Sequence, residues 1–186
     1  MTRREVQFGL GDLGTKLAAL VAEDSGSDAE APPARGPGAM VYVHVGQLFV
    51  APESRVVSTI LGSCVAVCVW DVASGVGGLN HFLLPQCVEN GISSPRFGNV
   101  AIHQLLDGIK RLGSQVSRLQ AKIFGGASVI DAFAASRSSL GMQNVDLARR
   151  TLGQLGIPIV AEDVGGSQGR KLVFRTDDGS AWVRKI

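Results

Sequence analysis

Cys64 follows Leu61-Gly62-Ser63, and His81 stands seventeen residues later in the apolar run Gly77-Gly78-Leu79-Asn80-His81-Phe82-Leu83-Leu84-Pro85. A thiol and an imidazole are the working groups of a cysteine hydrolase. The thiolate attacks a carbonyl carbon, and the imidazole first takes the thiol proton and later protonates the leaving group. A Gly62-Ser63 turn can leave backbone N–H groups free near the Cys64 sulfur, where they would lower the thiol pKa and hold an oxyanion. The competing reading makes both residues core side chains, the common fate of a cysteine in an apolar strand.

A third group must orient the imidazole and fix its tautomer. Ser58 and Thr59 lie just upstream and, in an extended chain, face opposite sides. Ser58 shares the parity of Cys64 and is the expected third member, with Thr59 as the alternative; a bulge at Gly62 would break that relation. Cys68 shares the strand face of Cys64 and is expected in the core. Cys87 follows Pro85 in a loop and has no evident role. His44 lies in an early strand with no motif around it, and His103 sits beside Leu105 on an amphipathic helix, packed or at the surface.

The same residues fit other ligand chemistries less well. Zinc would need Cys64, Cys68, His81 and Cys87. The Cys-x3-Cys spacing is permissible, but both cysteines lie in a strand-like run instead of a knuckle loop. The pairs Gly77-Gly78, Gly125-Gly126 and Gly165-Gly166 form neither phosphate-loop pattern and are read as tight turns or close backbone approaches.

The elements that position these groups follow from pattern. Val41 to Val50 alternates as one or two strands around Gly46, and Val56 to Ile60 is extended. Val65 to Trp70 is a buried strand, Asp71 to Gly75 a turn, and Val76 to Leu84 the returning strand of a hairpin. Asn99 to Leu112 has helical spacing with Gly113 as its stop. Leu119 to Phe124 is a strand, and Ser128 to Ala135 a short helix. Asn144 is expected to cap a helix with Asp146 in its first turn and Gly156 as its stop. Strands follow at Ile157 to Glu162, Lys171 to Arg175 and Ala181 to Lys185, the last two as a hairpin. This order predicts a mixed α/β domain and not a doubly wound parallel sheet.

The remaining composition bounds the class. The chain has 186 residues, 45% of them hydrophobic, enough for one domain with a core of ordinary size. A net charge of +2 with scattered basic residues makes no case for a nucleic-acid or membrane surface. No apolar run reaches the length of a spanning helix, and Asp12 and Lys16 interrupt any secretory signal. Three cysteines fit a reducing cytoplasm better than a disulfide framework. Asp24 to Gly38 has no large apolar side chain and reads as a flexible linker. Before it, Phe8, Leu10, Leu13, Leu17, Leu20 and Val21 recur at roughly helical spacing, broken by Gly9, Gly11 and Gly14. A frayed tail is expected there, with a short docking helix as the alternative.

The ordered stretches LGSCVAVCVWD (61–71), GGLNHFLLP (77–85), RFGNVAIHQLL (96–106), AKIFGGASV (121–129), the later Asn144 and EDVGGSQGRKLVF (162–174) together resemble the CheD family of bacterial chemoreceptor glutamine deamidases. The resemblance runs from about Val56 to Phe174 and leaves the tail before Met40 outside it. Composition instead makes residues 1–39 a flexible tail and linker. The resemblance implies that residues 40–186 form one mixed-sheet α/β sandwich domain, related in site geometry to deamidating bacterial toxins. It implies Cys64 as nucleophile and His81 as base. The family's third residue is usually a threonine six positions before the cysteine; here Ser58 stands there, with Thr59 beside it. The implied substrates are glutamines in the cytoplasmic helices of methyl-accepting chemotaxis receptors, with methyl-glutamate esters proposed for some members. A CheC-type phosphatase is the implied partner, and a non-catalytic adaptor is the rival reading. No metal or organic cofactor is required, and the implied location is the cytoplasm.

Overall fold

Two sheets and two helices stack in three layers among the described residues of a computed structural model, which are 6–8, 40–86, 94–128 and 139–186. In chain order the strands are β1 (Val6–Phe8), β2 (Val41–Tyr42), β3 (Gln47–Ala51), β4 (Val56–Leu61), β5 (Val65–Asp71) and β6 (Gly77–Phe82). Helix α1 (Gly98–Arg111), β7 (Leu119–Gly125), α2 (Leu140–Gln154), β8 (Ile159–Val164), β9 (Arg170–Arg175) and β10 (Ala181–Lys185) complete the set. The larger sheet runs β1-β3-β6-β5-β7-β8 and the smaller one β10-β9-β4-β2. Pairing is antiparallel except for β7–β8 and β2–β4, so the sheets are mixed as expected.

β5 explains the layering. All seven of its residues are buried, because both faces are covered. Side chains alternate along a strand. Val65, Val67 and Val69 therefore pack on one face with Ala101, Ile102, Leu105 and Ile109 of α1 and Val145, Ala148 and Leu152 of α2. Ala66, Cys68 and Trp70 pack on the other with Val57, Leu61, Leu172 and Phe174 of the smaller sheet. Burying each such aliphatic side chain contributes roughly 1.5–3 kcal/mol. The expected β5–β6 hairpin is present, with Ala66 opposite His81 and Cys68 opposite Leu79.

The helix ends depart from expectation at one point that matters. Helix α2 is capped by Ser139, whose side chain accepts from the Met142 N–H at 3.3 Å. Asn144 is not a cap. It lies inside the helix, fully buried, on the face that carries Gly141, Ala148 and Thr151. Gly113 ends α1 in the left-handed region at φ +96°, as its position implied.

At the N-terminus, Val6–Phe8 pairs antiparallel with β3, where a frayed tail or a helix was expected. The Asp24 to Gly38 linker, Cys87, and all of the Ser128 to Ala135 segment except Ser128 itself lie outside the described residues.

Candidate active site

The chain changes sheets immediately before Cys64. β4 belongs to the smaller sheet and β5 to the larger, and Gly62-Ser63 make the crossing. Along β4, Val57 and Leu61 face the inter-sheet core, and Thr59 shares their parity. Ser58 points to the opposite face, with Tyr42 and Val173 as its strand neighbours. Cys64 packs against the same inter-sheet core as Ala66 and Cys68. His81 stands opposite Ala66 and shares that face. Cys64, two residues before Ala66, is thus the diagonal neighbour of His81, a relation that spans about 7–8 Å between backbones in an ordinary ladder.

His81 is held in one tautomer. The Thr59 hydroxyl donates to the Val43 carbonyl at 2.7 Å, so Thr59 Oγ1 accepts from His81 Nδ1 at 2.8 Å. The second contact of Nδ1, to the Val43 carbonyl at 3.5 Å, also needs a proton on that nitrogen, because a carbonyl only accepts. Nε2 then carries the lone pair. It is buried and without a hydrogen-bond partner among the described residues. Burial lowers the His81 pKa to about 4, the charge of nearby His44 adds to the effect, and the Val43 carbonyl opposes it. The ring is neutral at pH 7 and able to take a proton.

Cys64 is half-buried, and burial raises its thiol pKa, with only its own backbone N–H acting to lower it. The expectation that turn donors would lower this thiol therefore fails on magnitude: one local donor is outweighed by desolvation. Both groups are therefore neutral at pH 7.

The turn carrying Cys64 is pinned from three sides. Gly126 N–H donates to the Cys64 carbonyl and Ala127 N–H to the Gly62 carbonyl, both at 2.8 Å. Gly125, at φ +106°, has no Cβ because one would lie 2.2 Å from the Cys64 carbonyl oxygen. Asn144 Nδ2 donates to the Ser63 carbonyl at 3.2 Å and to the Leu83 carbonyl at 2.8 Å.

A family model described as "CheD chemotactic sensory transduction" matches residues 83–185. The chain is also 53% identical, over 154 residues, to "Probable chemoreceptor glutamine deamidase CheD 1" of Anaeromyxobacter dehalogenans, covering 83% of this chain and 89% of that one. The chain belongs to the CheD family. A further CheD relative from Sulfurimonas denitrificans is 39% identical over 145 residues, covering 78% of this chain and 93% of its own. One from Trichlorobacter lovleyi is 38% identical over 138 residues, covering 74% and 85%. Both are named "Probable chemoreceptor glutamine deamidase CheD".

In this CheD chain the structure brings Cys64, His81 and Thr59 to one face of the inter-sheet layer and leaves Ser58 on the other side of β4. Of the two candidate hydroxyls, Thr59, the alternative, contacts His81, and Ser58, the preferred one, does not. Its parity argument assumed one continuous strand surface, whereas Gly62-Ser63 carry the chain from one sheet to the other and reset the parity. Cys68 is buried in the inter-sheet core, where desolvation raises its thiol pKa far above the usual range. His44 stacks edge-on against Tyr42. His103 is exposed on α1, with Nδ1 2.7 Å from the Asn99 carbonyl. Among the described residues no three His, Cys, Asp or Glu side chains are grouped to hold a metal ion.

Two residues near the CheD site escaped the sequence reading. Asn144 has the local look of a cap, and its place on the buried stripe with Gly141, Ala148 and Thr151 is the signal that separates it from one. Arg170 is 1% exposed, and its guanidinium reaches the carbonyls of Gly125, Asp163 and Gly165 and the Asp163 carboxylate. It supports the glycine turn that holds Cys64, and nothing in the residues around it signals that role.

Proposed function

We infer that this CheD-family protein is a protein-glutamine glutaminase that converts glutamine side chains of methyl-accepting chemotaxis receptors to glutamate and releases ammonia. The observation that carries the mechanism is the 2.8 Å contact of Thr59 with His81 Nδ1, which leaves the Nε2 lone pair free on the face that Cys64 shares.

In this reading His81 Nε2 takes the Cys64 thiol proton as the sulfur attacks the glutamine carbonyl. In the same reading the Cys64 backbone N–H is the donor for the oxyanion. The imidazolium gives its proton to the departing nitrogen, ammonia leaves, and a thioester remains. Water, deprotonated by His81, adds to the thioester, and its collapse releases glutamate and returns the proton to sulfur. Each turnover replaces a neutral amide by a carboxylate and so adds negative charge to the receptor. No step calls for a cofactor.

The substrate helices are cytoplasmic, which assigns the enzyme to the cytoplasm. No helix among the described residues is long and apolar enough to cross a membrane. The proposal includes a CheC-type phosphatase that competes with receptors for the same face. The test is peptide mass spectrometry and ammonia release on receptor cytoplasmic fragments carrying both glutamine and methyl-glutamate. Amide loss matched by ammonia is expected. Ester loss with intact amides would make the protein a receptor methylesterase, and binding without either reaction would make it an adaptor.

A further inference from the structure

We propose that Asn144 is a positioning residue for the nucleophile, a single carboxamide that sets both the spacing of Cys64 from His81 and the direction of the Cys64 backbone N–H. The inference rests on the reading of Cys64 as nucleophile.

Its two acceptors belong to the two catalytic segments. The Ser63 carbonyl is the peptide oxygen just before Cys64, and the Leu83 carbonyl lies two residues beyond His81. The last registered pair of this hairpin is Val65 with Phe82, so Ser63 and Leu83 sit where the ladder has ended. Asn144 replaces the missing rung from the helix layer. It is fully buried, and α2 brings it there on its packed face.

The bond to Ser63 also orients the next amide. No peptide bond among the described residues is cis, so the Cys64 N–H points opposite to the Ser63 carbonyl. With that carbonyl drawn to Asn144 on α2, the Cys64 N–H turns away from α2. A donor there can pass to the oxyanion that forms when the sulfur attacks.

Only the donor half of the carboxamide is used. Oδ1 is buried without a hydrogen-bond partner among the described residues. The opposite assignment of nitrogen and oxygen would point a carbonyl at two carbonyls. A buried acceptor left unpaired is costly, and in return the two strand ends are joined.

The test uses the full-length protein and the variants Asn144→Ala and Asn144→Ser; serine keeps a hydroxyl donor but is too short to bridge both carbonyls. Near-ultraviolet circular dichroism establishes the fold, and the readouts are kcat, KM and the pH dependence of Cys64 alkylation by iodoacetamide. The expected result in a folded variant is a kcat lower by on the order of 10²-fold with KM nearly unchanged. The alkylation profile also moves to higher pH. A folded variant with wild-type kcat, or with lowered kcat and a wild-type alkylation profile, would overturn the proposal. The alkylation arm needs no receptor, so it reports on Asn144 even if deamidation itself is not observed. Should neither variant fold, wild-type NMR decides. Through-hydrogen-bond couplings from Asn144 Nδ2 to the Ser63 and Leu83 carbonyl carbons are expected, and their absence overturns the assignment.

Discussion

Thr59 and His81 belong to different sheets, yet the hydroxyl of one lies 2.8 Å from the imidazole of the other. The site is therefore built across the inter-sheet layer. Thr59 reaches it from β4, His81 from β6 and Cys64 from the crossing between sheets. The hydroxyl is itself fixed by Val43 at 2.7 Å, which makes it an acceptor toward the ring. A side chain that fills the same space without a hydroxyl leaves only the longer Val43 carbonyl contact, at 3.5 Å, to hold that tautomer.

Thr59→Val is accordingly expected to lower kcat by about 10–10²-fold, while Thr59→Ser retains most activity. Removing the hydroxyl also leaves buried polar groups unpaired, at a cost of about 1–3 kcal/mol in stability. Ser58→Ala, on the far face of β4, is expected to keep near wild-type kcat. Steady-state assays of the three variants check this, and loss of turnover in Ser58→Ala but not in Thr59→Val would reverse the assignment.

Where sequence and structure diverge, the causes are specific. The β5–β6 hairpin was legible because two apolar runs flank the Asp71 to Gly75 turn, whereas the placing of Cys64 and His81 on one face depended on a register the pattern does not set. That pattern stops at Gly62-Ser63, where the chain leaves one sheet for another, so Ser58 and Thr59 could not be told apart by counting. Asn144 resembles a cap in every local respect, but Ser139 lies upstream and captures the helix start. The raised Cys64 pKa depends on how deeply a turn is covered, which no local stretch reveals. Arg170 lies in the 162–174 stretch, but its bond to the Gly125 carbonyl, 45 residues away, is set by the fold and not by that stretch.

Burial gives His81 a pH signature in stability. Its pKa is about 4 in the fold against an ordinary 6.5, so the unfolded chain takes up this proton first as pH falls. The contribution is complete above about pH 6.5 and is lost progressively toward pH 4, on the order of 3 kcal/mol in all. Asp71 acts in a lower window. Burial alone would raise its pKa, but hydrogen bonds from the Ala73 N–H and Arg118 hold it well below 3.8. Urea unfolding at pH 7 and pH 4.5 should show the loss in wild type and a flatter dependence in His81→Gln. Equal slopes in the two proteins would refute the buried neutral imidazole.

Cys64 should behave as an unactivated thiol in the free enzyme. Desolvation raises its pKa above 9.0, so alkylation is expected to climb through the alkaline range without a plateau near neutrality. A plateau at pH 5–6 would instead reveal a preformed thiolate–imidazolium pair.

Gly125→Ala tests the turn beneath Cys64. The new Cβ would meet the Cys64 carbonyl at 2.2 Å, at a φ of +106° that alanine rarely adopts. Gly113→Ala is the control, since it shares a positive φ of +96° but opens onto empty space. The control is expected to cost about 1–2 kcal/mol and leave kcat unchanged. Gly125→Ala is expected to cost more and to abolish most turnover in the folded fraction. Similar kcat values for the two variants would mean that the Gly125 turn does not position Cys64.

The most direct test of the central claim is mass spectrometry of receptor peptides after incubation with wild type and with folded Cys64→Ala. Wild type is expected to convert specific glutamines to glutamate, and Cys64→Ala to leave every amide intact. Amide loss that persists in Cys64→Ala would contradict the account.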